Sequence, residues 1–152
     1  MATVISHPDA EFINNRQAVF TTAFQSGSAD SIAALMSDSV EFSDYGTKTH
    51  LSSKPEVRNY FTLMFSACES WDIKTLSVSG HKHFTAWEWE LLVKVKSTEE
   101  GEKQEKDAGS SEIKVLGVST TWWDEEGKLM VKNHDYAQHV EQFEWEKKGE
   151  GK

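Results

Sequence analysis

A chain of 152 residues, 38% hydrophobic and 11% aromatic, is long and apolar enough to bury one substantial core, which excludes a disordered polymer and predicts one domain. Its formal charge of −9, from 25 acidic against 16 basic residues, repels phosphate backbones and argues against nucleic acid as a partner. Cys68 is alone, so no internal disulfide forms; with no apolar run of membrane-span length and no basic-then-apolar leader in "MATVISHPDA", a cytoplasmic protein away from membranes is expected.

The predicted domain runs over residues 9–143, with 1–8 as an N-terminal extension and 144–152 as a fraying tail. From about Asp9 to Ser26, Ile13, Phe20 and Phe24 fall on one stripe at helical spacing, and Gly27 supplies the stop. A short second helix follows in "SADSIAALMSD", with Ser28 as N-cap and Ile32, Leu35 and Met36 facing inward. "SVEFSDYG" reads as a brief strand ending in a turn at Gly46. "SSKPEVRNYFTLMFSACES" is a third helix: Ser52 or Ser53 caps it, Pro55 suits its first turn, and Val57, Phe61, Met64 and Cys68 share a face.

After Trp71 the apolar period falls to two, and four strands are predicted in "WDIKTLSVSG", "HFTAWEWELLVKVK", "SEIKVLGVSTTWWDEEG" and "KLMVKNHDYAQHV". The join "DEEGK", with Gly127 at positive φ, makes the last two a hairpin. Between the middle two, "STEEGEKQEKDAGSS" is a charged, solvated hairpin tip. Three N-terminal helices packed in the concave face of a strongly curved antiparallel sheet give a cone-shaped α+β fold, whose interior is the natural place for a small ligand.

The stretches "FTTAFQSGSADSIAALMSDSVEFSDYG" and "GVSTTWWDEEGKLMVKNHDY", taken in this order of elements, resemble the SnoaL-like branch of the nuclear transport factor 2-like superfamily over roughly Phe12 to Val140. That superfamily includes polyketide cyclases, ketosteroid isomerases, a scytalone dehydratase, epoxide hydrolases and non-catalytic binders, so the resemblance speaks to fold more than to reaction. It places Asp44 where isomerase-like members carry a proton-moving aspartate. A carboxylate facing an apolar cone has the raised pKa of a general base; the alternative is a turn aspartate capping its own backbone in "SDYG". The isomerase oxyanion donors do not carry over: the helix-one tyrosine is matched by Phe20 and the second acid by a position near Leu116, which argues against steroid isomerisation. Matching through "GK" also puts Met130, Lys132, His134, Tyr136 and Gln138 inside the cone and Asp135 outside, although the hydrophobic pattern alone favours the reverse.

On this reading Asp44, His134 and Tyr136 are the catalytic candidates, as base or relay, acid/base partner and oxyanion donor. The ligand-binding candidates are Phe20, Phe24 and Tyr60 on the helices, with Trp87, Trp89, Leu116 and Trp122 on the strands. The expected function is a cofactor-independent isomerase, cyclase or dehydratase acting on a small hydrophobic, polycyclic-sized metabolite; the alternative is a non-catalytic ligand-binding or protein-interaction module. No cofactor is implied. The H-x-H pair His81 and His83 lacks a third ligand at recognisable spacing and predicts no metal site. Leu92, Trp123 and Val131 are expected on the outer face of the sheet, where they would form a homodimer interface.

Overall fold

The computed structural model describes residues 7–96 and 112–140. The expected charged tip, the tail 144–152 and most of the extension 1–8 lie outside the described residues.

Helix α1 (Ala10–Gln25) buries Ile13, Phe20, Ala23 and Phe24 on one stripe and ends where Gly27 takes φ 71°. Helix α2 (Ala29–Ala33) starts at Ser28, whose Oγ accepts the Ser31 N–H at 3.1 Å. Strand β1 (Met36–Asp44) then leads through a turn to the short β2 (Thr49–Leu51), which pairs back on it. Helix α3 (Lys54–Ala67) begins with a reciprocal cap: Ser53 Oγ accepts the Glu56 N–H, and the Glu56 carboxylate accepts the Ser52 N–H at 2.7 Å. It buries Val57, Phe61 and Phe65. Cys68 does not extend this face as expected but opens β3 (Cys68–His81), half-buried, with its thiol pKa pushed up by burial. The long strands β4 (Phe84–Val95), β5 (Glu112–Trp123) and β6 (Met130–Val140) follow. Among the described residues no helix is long and apolar enough to cross a membrane.

The strands form one curved, unclosed six-stranded sheet in the order β2-β1-β6-β5-β4-β3. Every neighbouring pair is antiparallel except β1 with β6, which is parallel and brings the start of the sheet beside its last strand. The helices pack in its concave face, with Ile32, Met36, Val40, Phe42 and Val57 almost wholly enclosed. Phe42 meets Phe61 edge-on at 5.8 Å between ring centroids, and Phe24 meets the same ring at 6.2 Å. Phe42→Ala therefore empties the joint between sheet and helices. It is expected to cost about 3–5 kcal/mol, read as a lower denaturation midpoint at unchanged slope.

Two features set what faces inward. Between β5 and β6 the register slips: Trp122 pairs with Lys132 but Trp123 with Met130, leaving Val131 as an extra residue. The bulge reverses the facing of β6, so Met130 points into the cone and the inward set beyond it is Asn133, Asp135 and Ala137. At the cone's end, the Arg16 guanidinium lies 3.7 Å from the Trp123 ring centre and donates to Lys82 O at 2.7 Å and Gly127 O at 2.8 Å. One side chain thus ties α1 to the β3–β4 and β5–β6 turns. Burial lowers its pKa to about 10, against the pull of Asp9 and Asp124.

Candidate functional site

The concave face of the sheet, α1 and α3 enclose a cavity of about 600 Å³. Phe20 and Phe24 from α1, Phe61 from α3, and Trp87, Trp89 and Leu91 from β4 make its walls apolar. Alternation on the adjacent strands lays a polar strip across this lining: Ser119 and Thr121 from β5, Asn133 and Asp135 from β6, Asp44 from β1. Gln17 and Tyr60 complete it from the helices.

Asp135 is the centre of the strip. Its Oδ1 accepts the Ser119 hydroxyl at 2.6 Å and the Asn133 amide at 2.7 Å. Ser119 Oγ in turn accepts the Trp89 indole N–H at 2.9 Å, and Asn133 Oδ1 accepts the Thr121 hydroxyl at 2.6 Å. Among the described residues no hydrogen bond engages Asp135 Oδ2, and no buried side-chain nitrogen or oxygen lacks a partner. Oδ2 is therefore the oxygen open to the cavity. Burial pushes the Asp135 pKa up to about 6; the Ser119 and Asn133 bonds hold it back, and the nearby Asp44 carboxylate adds to the rise. A carboxyl poised there exchanges protons near neutral pH.

Asp44 is the register partner of Asp135 on the parallel neighbour strand. It does the turn work that its sequence context allowed and also faces the cavity. Oδ1 accepts the Gly46 N–H at 2.9 Å and the Thr47 N–H at 3.3 Å, as a turn aspartate does, while Oδ2 accepts the Tyr60 hydroxyl at 2.8 Å inside the cavity. Burial, and then the Asp44 charge, raise the Tyr60 pKa above its ordinary value, so the phenol is a donor at any physiological pH.

Asp44, Phe20, Phe24, Tyr60, Trp87 and Trp89 line one cavity. His134, Tyr136, Leu116 and Trp122 do not line it, and their expected inward facing is corrected. For His134 and Tyr136 the cause is the Val131 bulge; for Leu116 and Trp122 it is that the odd-numbered residues of β5 face inward. On the outer face the His134 ring packs edge-on against Trp122 at 5.2 Å and Tyr45 at 5.5 Å, and burial followed by the Lys132 charge lowers its pKa. Tyr136 is 47% exposed beside Tyr45, and Leu116 borders a shallow outer groove. Trp123 is likewise corrected. It is inside, 6% exposed, with its indole N–H on Thr85 Oγ1 at 2.9 Å, so the expected outer patch of Leu92, Trp123 and Val131 lacks its indole.

Asp135, Ser119, Thr121 and Asn133 were not expected in the site. Their signal was in the sequence: Ser119 with Thr121, and Asn133 with Asp135, repeat polar groups at period two on paired strands, a pattern suited to a lined hollow. His81 and His83 do turn work instead: His83 N–H donates to His81 Nδ1 at 3.2 Å, and His83 Nε2 lies 3.2 Å from Glu125 O. Among the described residues no group of three or more His, Cys, Asp or Glu side chains is placed to hold a metal ion.

The family model for the SnoaL-like domain matches residues 17–130. The chain is 30% identical over 138 residues to the protein named cyclase aurE of Calcarisporium arbuscula, covering 90% of this chain and 94% of that one. Among solved structures, a protein of ketosteroid isomerase-like fold from Catenulispora acidiphila DSM 44928, in complex with trimethylamine, superposes with TM-score 0.65 at 9% identity, over 80% of this chain and 83% of that one. An epoxide hydrolase of M. tuberculosis, described as LEH-like, superposes with TM-score 0.62 at 11% identity, over 82% and 80%. At such identities the structural likeness concerns the fold.

Proposed function

Because the chain belongs to the SnoaL-like family, and its apolar cavity ends on an accessible carboxyl group, we propose that it is a cofactor-independent cyclase or isomerase moving a proton within an uncharged, hydrophobic, carbonyl-bearing molecule. The observation that carries this reading is Asp135: one oxygen held by two donors, the other open to the cavity, and a pKa of about 6. The relative named as a cyclase supports ring closure as the form of the reaction.

The steps balance without a co-reactant. Ionised Asp135 takes a proton from a carbon next to a carbonyl, and the released electron pair attacks a second carbonyl carbon of the same molecule. The oxygen of that carbonyl receives the proton back from Asp135 Oδ2, so a carbon–carbon bond forms and no atom is lost. Where the substrate has no second carbonyl in reach, return of the proton to a different carbon is an isomerisation. The Tyr60 hydroxyl, parked on Asp44, is the donor for an oxygen that gains charge. Trp87, Trp89 and Phe20 supply flat apolar surface for a ring system. His134 and Tyr136, on the other side of the sheet, have no part in these steps.

Among the described residues the lining includes Asp44 and Asp135 but neither Lys nor Arg. A ligand carboxylate would be desolvated beside like charge, with only the exposed His139 imidazole among the described lining groups able to turn cationic, so the substrate enters as an ester, lactone or ketone rather than as an acid. The test pairs a set of aryl polyketone esters with the matching free acids, in deuterium oxide. The esters are expected to bind, to gain deuterium next to the carbonyl and to cyclise, while the acids bind at least about tenfold more weakly. Esters that bind but exchange no faster than in buffer would favour a non-catalytic ligand carrier. Equal binding of the acids would refute the charge argument.

A further inference from the structure

We propose that Trp89, Ser119, Thr121 and Asn133 form a positioning chain that confines the mobile proton of Asp135 to Oδ2, and that Gly117 is the residue that makes the chain possible. This inference rests on Asp135 being the proton carrier and says what aims it.

Donor chemistry sets the direction of the chain. An indole N–H can only donate, so the 2.9 Å contact makes Ser119 Oγ the acceptor from Trp89. The Ser119 hydrogen is then free to turn toward Asp135 Oδ1, 2.6 Å away. From the other side, the Thr121 hydroxyl donates to Asn133 Oδ1, which leaves the Asn133 amide hydrogens facing the same Asp135 oxygen. Two donors converging on Oδ1 leave no site there for a third hydrogen. Oδ2 must carry it.

Gly117 is the register partner of Trp89 on β5. A Cβ at Gly117 would stand 2.3 Å from Trp89 Cζ2 and 2.6 Å from Cη2, closer than real Cβ atoms come to anything. With no side chain at that place the indole lies across β5 and reaches Ser119, two residues on and on the same face. Trp89 also lines the cavity, so a ligand packs against the residue that ends the chain. Among the described residues, the titratable groups sharing the cavity with Asp135 are Asp44 on β1, Tyr60 on α3 and His139 on β6; α1, β4 and β5 add none to the lining.

The chain can be read by NMR before any substrate is known. In the wild type the Trp89 indole resonance should move with pH at the Asp135 midpoint, near 6, and should stand still in Asp135→Asn. In Ser119→Ala the indole should no longer follow Asp135, and the Asp135 carboxyl midpoint should rise by about one pH unit, as expected for removing one hydrogen bond to a charged group. Trp89→Phe keeps the ring and removes only the N–H; a smaller rise is expected, while Ser119→Thr, which retains the hydroxyl, restores the wild-type midpoint. An Asp135 midpoint unmoved in both Ser119→Ala and Trp89→Phe would overturn the chain. If the midpoints move as expected but no neutral ketone or ester turns over, the chain stands and the proposed reaction falls. If turnover is found and the midpoints stay fixed, the reverse holds.

Discussion

Asp135→Asn is expected to lower turnover by about 10²- to 10⁴-fold, the usual contribution of a positioned acid/base, and at the same time to stabilise the fold above pH 6. The second effect follows from linkage. The folded-state pKa is raised from the ordinary 3.8 to about 6, chiefly by burial. A raised carboxyl favours the folded state fully below its unfolded value, near pH 4, and that contribution is lost as pH rises through 6. Above pH 6 the fold therefore holds an ionised carboxylate at a cost of roughly 3 kcal/mol for a shift of this size. Asparagine can accept the same Ser119 and Asn133 hydrogen bonds without the charge. Denaturation at pH 7.5 should show the variant more stable than the wild type, with the gap closing toward pH 4. A variant less stable at both pH values would mark Asp135 as a structural residue. Stability given up at a catalytic position is the pattern expected of a site tuned for chemistry.

Arg16→Ala should produce the largest loss of stability at a partly exposed position, about 3 kcal/mol. It removes two charge-assisted hydrogen bonds, to Lys82 O and Gly127 O, and the stacking of the guanidinium on Trp123. Both carbonyls belong to turns, so their loss loosens the end of the cone rather than its middle. Arg16→Lys should recover less than half of the deficit, because an ammonium cannot lie flat on the indole and serve both carbonyls together. Chemical denaturation of the two variants reads this directly; full rescue by lysine would show that charge alone matters there.

The elements that could be read from the chain were those decided locally. Ser28, Ser53 and Pro55 mark helix starts through contacts within one turn, and Gly27 marks a stop through its own φ. The facing of β4 was legible because Trp87, Trp89 and Leu91 alternate with Glu88 and Glu90, a contrast that allows one choice. Strand β6 has no such contrast, and a single extra residue at Val131 reverses its facing after Met130. Nothing in the run "MVKNHDY" marks a bulge, because it arises from pairing with Trp122 and Trp123 on another strand. The hydrophobic pattern alone favoured the facing that β6 adopts beyond the bulge, but the matching through "GK" was set above it; the inward face of β5 and β6 borders a hollow and carries Ser119, Thr121, Asn133 and Asp135. Asp44 was singled out because the resemblance places a proton-moving aspartate there, with a turn aspartate in "SDYG" as the competing reading. Asp135 was passed over because the matching through "GK" placed His134 and Tyr136 inside the cone and Asp135 outside. The three-residue β2 and the parallel β1·β6 pairing escaped for a related reason, since both depend on partners distant in sequence.

The most direct test of the central claim is a carboxyl-carbon NMR titration of Asp135 in protein labelled at aspartate, with Asp135→Asn supplying the assignment. A midpoint near 6, displaced when a neutral aryl ketone fills the cavity, is the predicted result. A midpoint in the ordinary aspartate range near 4, unmoved by any cavity ligand, would contradict it.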